Sequence, residues 1–144
     1  MDQKILFICT GNYYRSRFAE MLFNAQAARL GLCWTADSRG IETSIYNIGP
    51  IYLPVLKKLE TLGIPVEAQL RMPIQLKTTD LEAADLVIAL DATEHKLWMK
   101  QRFAEWVDEI LYWNVPDLNL MEPEEALSQI EKNVTVLLQQ LRDQ

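Results

Sequence analysis

Apolar residues run without a break from Ile5 to Ile8, and the chain turns polar at Thr10. A run this short, closed by Gly11 and Asn12, predicts a strand over residues 4–9 buried on both faces. From Ser16 to Leu30 the period changes. Phe18, Ala19, Leu22, Phe23, Ala27 and Leu30 recur at helical spacing, and Gly31 stands where a helix stops. Residues 33–37 return to a strand pattern that begins at Cys33, and Ser38 to Pro50 reads as a loop. Leu53, Leu56, Leu59 and Leu62 predict a second helix ended by Gly63, whereas residues 64–79 show no period. Asp85 to Leu90 is the next clear strand. A helix from Thr93 to about Ala104 and a strand over 110–115 follow. Pro123 then opens a last helix whose apolar stripe passes through Leu127, Ile130, Val134, Leu137, Leu138 and Leu141.

Alternating strands and helices imply an α/β fold, a four-stranded parallel sheet with helices on both faces. With 144 residues and 49% apolar content, residues 1–144 are expected to form one domain. Ligands bind such sheets beyond the carboxyl ends of the strands, near a switch in strand order. Cys9 is expected there after the first strand, Ser38 after the second, Asp91 after the third and Asp117 after the fourth.

The chemistry suggested at that edge starts with Cys9 and Arg15, six positions apart in Cys9-Thr10-Gly11-Asn12-Tyr13-Tyr14-Arg15-Ser16. The spacing alone is weak, because two cysteines and seven arginines in this length give about a one-in-ten chance of such a pair. Its position between a buried strand and a helix gives it meaning. A loop of that length can curl so that its N–H groups converge on one point, where the helix adds the positive end of its dipole. Gly11 can take φ > 0, and Asn12 is the next most tolerant residue. Such a cup, a phosphate loop, suits a tetrahedral oxyanion, with Arg15 gripping two oxygens through its planar fork. The same features favour an anionic sulfur, as a nucleophile requires. Ser16 is placed either to cap the helix or to donate to that sulfur.

The net charge of −6 argues against duplex nucleic acid or an anionic membrane as a main partner, although Arg15, Arg17 and Arg39 together can form a local basic cluster. The apolar run ending at Thr10 is too short for a secretory leader, so a cytoplasmic location is expected; a monomer or weak dimer is the expected assembly. Cys9 and Cys33 fall at opposite ends of neighbouring strands, which predicts no disulfide and makes Cys33 a small core residue. Phosphoryl transfer from oxygen to sulfur also needs a proton for the departing oxygen. Asp117, in Val115-Pro116-Asp117-Leu118, is favoured over Asp91, which runs into Thr93-Glu94 and reads as a helix cap. His95, the only histidine, reads as a helix-surface residue. The four tryptophans read as core or as a partner-facing patch, and Glu122, Glu124 and Glu125 as a helix N-terminus.

With these residues in place, the chain resembles the low-molecular-weight protein tyrosine phosphatase family. Cys9-Thr10-Gly11-Asn12 with Arg15-Ser16 carries the likeness, Phe18-Ala19-Glu20 extends it, and Ser38 with Gly40, Asp80-Leu81, Ala84-Asp85-Leu86 into Leu90-Asp91, and Val115-Pro116-Asp117 continue it along the chain. The resemblance implies Cys9 as nucleophile, Arg15 as phosphate grip and Asp117 as general acid. It implies that Thr10, Gly11, Asn12, Tyr13, Tyr14 and Ser16 surround the substrate phosphate, that Asn12 and Ser38 hold the loop in shape, and that Ser16 steadies the sulfur. A phosphorylated protein or small phosphoester is the implied substrate; no metal and no cofactor are implied. Four positions depart from the family pattern. Tyr14 replaces a Cys, Arg17 and Leu118 each replace a Pro, and Asn119 and Leu120 stand where aromatic residues wall the pocket. Tyr13 and Tyr46 are candidates for a substitute wall. The competing readings are a non-catalytic phosphate-binding module and an arsenate reductase-like enzyme, the latter short of cysteines.

Overall fold

The computed structural model describes residues 2–144. Four parallel strands, β1 (Gln3–Cys9), β2 (Trp34–Gly40), β3 (Leu86–Ala89) and β4 (Leu111–Tyr112), lie in the order β2-β1-β3-β4. The helices are α1 (Arg15–Arg29), α2 (Leu53–Thr61), α3 (Thr78–Ala83), α4 (Ala92–Arg102) and α5 (Pro123–Arg142), with a short 3₁₀ turn at Ala104–Trp106. Placing β1 between β2 and β3 creates the expected switch in strand order beside its carboxyl end.

Side-chain alternation along β1 sets the two faces of the sheet. Ile5, Phe7 and Cys9 join the core made with α1, α2 and α5, while Leu6 and Ile8 join the core made with α3 and α4. Cys9 therefore emerges on the face where α1 packs. The α5 stripe is seated as expected, with Ile130 and Val134 at most 1% exposed. Trp34 and Trp113 pack against the first core, Trp98 and Trp106 against the second.

Several expectations change. β2 extends to Gly40, so Ser38 lies within the strand and not after it. β4 is only two residues long; beyond it the Trp113 and Val115 N–H groups donate to the Ala89 and Leu90 carbonyls, and Asn114 makes an isolated antiparallel bridge with Asp91. A short helix, α3, begins in the aperiodic stretch. Cys33 is exposed, not core, because it precedes β2 at the strand's open amino end. Both cysteines are free.

Candidate active site

Cys9 ends β1, and residues 10–14 carry the chain over to α1. Tyr14 occupies the cap position without a side-chain cap, and the first turn holds no acidic residue. The positive end of α1 is therefore left bare toward the loop. Ser16 does not cap it; its Oγ lies 2.9 Å from the Cys9 Sγ. Asn12 Nδ2 donates to that same hydroxyl oxygen at 2.9 Å, leaving the hydroxyl hydrogen for the sulfur.

Asn12, and not Gly11, takes the left-handed conformation, with φ 52°. Its amide explains why this strained position holds. Nδ2 donates to Ser16 Oγ and to Ser38 Oγ, each at 2.9 Å, and Oδ1 accepts from Arg71 Nη1 and the Ile74 N–H, each at 3.0 Å. All four hydrogen-bonding positions of the amide are used inside a fully buried site. Ser38 Oγ in turn donates to Glu20, and Arg71 spans Glu20, Asp37 and the Ser38 carbonyl. Gly40 completes the brace by having no side chain. A Cβ there would stand 2.7 Å from the Thr10 carbonyl oxygen and 3.0 Å from the Asn12 nitrogen.

Arg15 is 1% exposed and locked on several sides. Nη1 and Nη2 each donate to one oxygen of Glu94 at 3.0 Å, Nη1 also donates to the Val115 carbonyl at 2.9 Å, and Nη2 lies 3.4 Å from Asp117. Burial works against the Arg15 charge, but the Cys9 sulfur, Glu94 and Asp117 outweigh it and raise its pKa. Glu94 also accepts from the Thr10 hydroxyl and lies 3.2 Å from His95 Nε2. His95 is fully buried, not on the helix surface. The Asp91 N–H donates to His95 Nδ1 at 3.1 Å, which places the ring proton on Nε2, toward Glu94 and Thr10. Asp91 does sit at the α4 cap position, though without a side-chain cap bond.

The cup above the loop has a volume of 360 Å³. Cys9, Thr10, Gly11 and Arg15 line it from below, Tyr13, Tyr14 and Tyr52 from the side, and Asp117 with Leu118 from the fourth-strand loop. Tyr52, which sequence reasoning missed, packs edge-on to Tyr14 with ring centroids 5.2 Å apart. Asn12 and Ser16, expected around the phosphate, do not line the cup; their side chains and that of Ser38, expected to hold the loop in shape, are joined through the Asn12 amide. Tyr46 is 88% exposed and forms no part of the wall. The expected basic cluster does not form either, because Arg39 pairs with Asp37 and Asp80 while Arg17 is buried against Pro50 and Arg71. Among the described residues no group of three or more His, Cys, Asp or Glu is arranged to hold a metal.

A parallel α/β sheet with a Cys-to-Arg loop at the end of its central strand, facing a carboxylate from the fourth-strand loop, defines a class of anion-binding cup. The chain belongs to the family described as low molecular weight phosphotyrosine protein phosphatase, whose sequence model matches residues 4–144. It is similar to the low molecular weight protein-tyrosine-phosphatase YfkJ of Bacillus subtilis, 37% identical over 91 residues, 61% of this chain and 56% of that protein. The crystal structure of YfkJ superposes with a TM-score of 0.83 at 27% identity, covering 99% of this chain and 96% of YfkJ. The protein-arginine-phosphatase of the same organism is 32% identical over 106 residues, 74% of this chain and 67% of that protein. A low molecular weight protein tyrosine phosphatase from T. tengcongensis superposes with a TM-score of 0.80 at 28% identity, over 96% of this chain and 99% of that one.

Proposed function

We propose that the protein hydrolyses phosphomonoesters, with protein phosphotyrosine as the favoured substrate, through a phosphocysteine on Cys9. One observation carries the reading: the Cys9 sulfur, the Arg15 guanidinium and the Asp117 carboxylate face one cup. In the first step the sulfur anion attacks phosphorus while Asp117 protonates the departing oxygen. In the second, water deprotonated by Asp117 attacks the phosphocysteine and releases inorganic phosphate. The loop amides, the α1 terminus and Arg15 stabilise charge on the equatorial oxygens in both steps. Ser16 steadies the sulfur as it leaves. No step requires a metal.

Two arrangements support these roles. Asp117 has a 42% exposed side chain on a loop whose turn is closed by the Leu120 N–H donating to the Asp117 carbonyl at 2.9 Å. It can therefore reach both solvent and cup. Tyr13, Tyr52 and Leu118 give the side of the cup apolar surface that suits an aryl group. An arsenate reductase reading lacks a second thiol nearby, since Cys33 lies at the opposite end of the sheet.

The test compares Asp117→Asn with the parent on phenyl esters of graded leaving-group acidity. The proposal predicts the greatest slowing for the poorest leaving groups. Equal slowing of all esters would remove Asp117 from the acid role, and turnover surviving in Cys9→Ala would refute the phosphocysteine.

A further inference from the structure

Between α1 and the irregular segment 64–71 lies a second cavity of 580 Å³ that shares no lining residue with the cup. Its chemistry is two-sided. Met21, Ala25, Ile64 and Leu70 give it an apolar wall, and Arg17 and Arg71 give it two guanidiniums. Arg17 is 2% exposed, yet it uses little of its donor capacity. Its two hydrogen bonds, to the Pro50 carbonyl at 3.0 Å and the Arg71 carbonyl at 3.1 Å, both leave from Nη1. Its Nε is buried without a hydrogen-bond partner among the described residues, with the Glu20 carboxylate 3.8 Å away.

Two glutamates accompany the two guanidiniums at the site, and neither accepts a hydrogen bond from Arg17. Glu20 is also bound by Arg71 and by the Ser38 hydroxyl, and the other acidic lining residue, Glu67, is exposed. Burial, and then the neighbouring Arg71 charge, push the Arg17 pKa down.

We propose that this cavity binds a small organic anion, with its carboxylate, sulfonate or phosphate group on Arg17 and its apolar body against Met21, Ala25, Ile64 and Leu70. Such a ligand gives the unused Arg17 donors an acceptor and covers apolar surface in the same step. Arg71 links this cavity to the cup. It lines the cavity and also donates to Asn12 Oδ1 and to Ser38, the residues that hold the phosphate loop. Occupancy of the cavity therefore changes anion affinity in the cup, and the coupling is reciprocal.

The test is an amide NMR titration of the whole chain with naphthalenesulfonate, the cup first filled with just enough vanadate to saturate it. The expected result is saturable shifts at Asn24, Ala25, Gln69 and Leu70. Arg17→Met should weaken binding about tenfold or more, by removal of a charge-assisted contact. Ala25→Phe fills the cavity while keeping Arg17 and its carbonyl partners, and should abolish the shifts. Shifts at Tyr13, Asn47 and Leu118 instead, no saturation, or undiminished binding in a folded Ala25→Phe or Arg17→Met variant would overturn the site. Vanadate affinity should change about fivefold or more when naphthalenesulfonate saturates; an unchanged affinity would overturn the coupling. These readouts need no turnover, so they stand or fall separately from the phosphatase reading.

Discussion

Arg15 and Glu94 meet fork to fork, Nη1 on Oε1 and Nη2 on Oε2, both at 3.0 Å. The pair fixes the plane of the guanidinium beneath the cup before any substrate arrives. A bidentate contact does this better than a point charge, since it sets direction as well as position. Glu94 is itself held by the Thr10 hydroxyl of the loop, so the loop and the arginine are oriented together.

Glu94→Gln keeps the size of the side chain but loses one acceptor oxygen and the charge. The guanidinium is then free to tilt. We expect kcat/KM on para-nitrophenyl phosphate to fall about 100-fold, the scale of an ångström-sized misplacement. Steady-state kinetics checks this, and a fall below twofold would show that Val115 and the loop position Arg15 without Glu94.

The same pair gives an acid limb to stability. Burial alone would raise the Glu94 pKa, but hydrogen bonds from His95, Arg15 and Thr10 outweigh it and hold the carboxyl well below its ordinary 4.5. The folded state then binds the proton less readily than the unfolded chain. The contribution of Glu94 is therefore complete above pH 4.5 and is lost as pH falls toward the lower folded value. Melting temperatures measured from neutral pH downward should show a constant gap between the parent and Glu94→Gln, closing below about pH 4.5. A gap that widens in acid would contradict the sign.

Tyr14 is buried with a hydroxyl that has no hydrogen-bond partner among the described residues. Burial chiefly, opposed by Arg15 and reinforced by Asp117 and Tyr52, pushes its pKa up to about 12. The folded state favours the neutral phenol, so this stability is full below pH 10 and is lost as pH rises through about 12. Tyr14→Phe removes an unsatisfied polar group and should raise the unfolding free energy by about 1 kcal/mol. Denaturant titration checks it. Destabilisation would mean that the hydroxyl has a partner in solution.

Gly40→Ala would place a methyl group against the Thr10 carbonyl and the Asn12 nitrogen. Those are backbone atoms of the phosphate loop, so the strain moves the loop itself. About 1–3 kcal/mol of stability should be lost, as for overpacking elsewhere, with activity falling further than the folded fraction does. Paired thermal melts and rate measurements separate the two effects. Full activity at reduced stability would show that the loop tolerates the shift.

The sequence was most readable where pattern and chemistry coincide. The unbroken run from Ile5 to Ile8 marks a strand buried on both faces, and Cys9 to Arg15 must then bridge it to the next helix. Asp117 was reachable as a cup residue because ligands of such sheets bind beyond the carboxyl ends of the strands. His95 was misread, since one histidine after Thr93-Glu94 carries no periodic sign of burial; it is buried because its ring closes back on Asp91 and Thr10. Arg71 was missed for a related reason. Its segment is ordered by distant partners, with the Gly40 N–H donating to the Ile74 carbonyl and the Leu76 N–H to the Gly40 carbonyl. A window along the chain does not register such bonds. Gly11 looked the better candidate for positive φ on intrinsic preference, whereas Asn12 takes it because four hydrogen bonds hold its amide there.

Rapid-quench mass spectrometry during para-nitrophenyl phosphate turnover shows whether the Cys9 sulfur carries the phosphoryl group. One phosphoryl group is expected on the peptide containing Cys9, formed before steady state and absent from Cys9→Ala. Sustained turnover with that peptide unmodified at every quench time would contradict it.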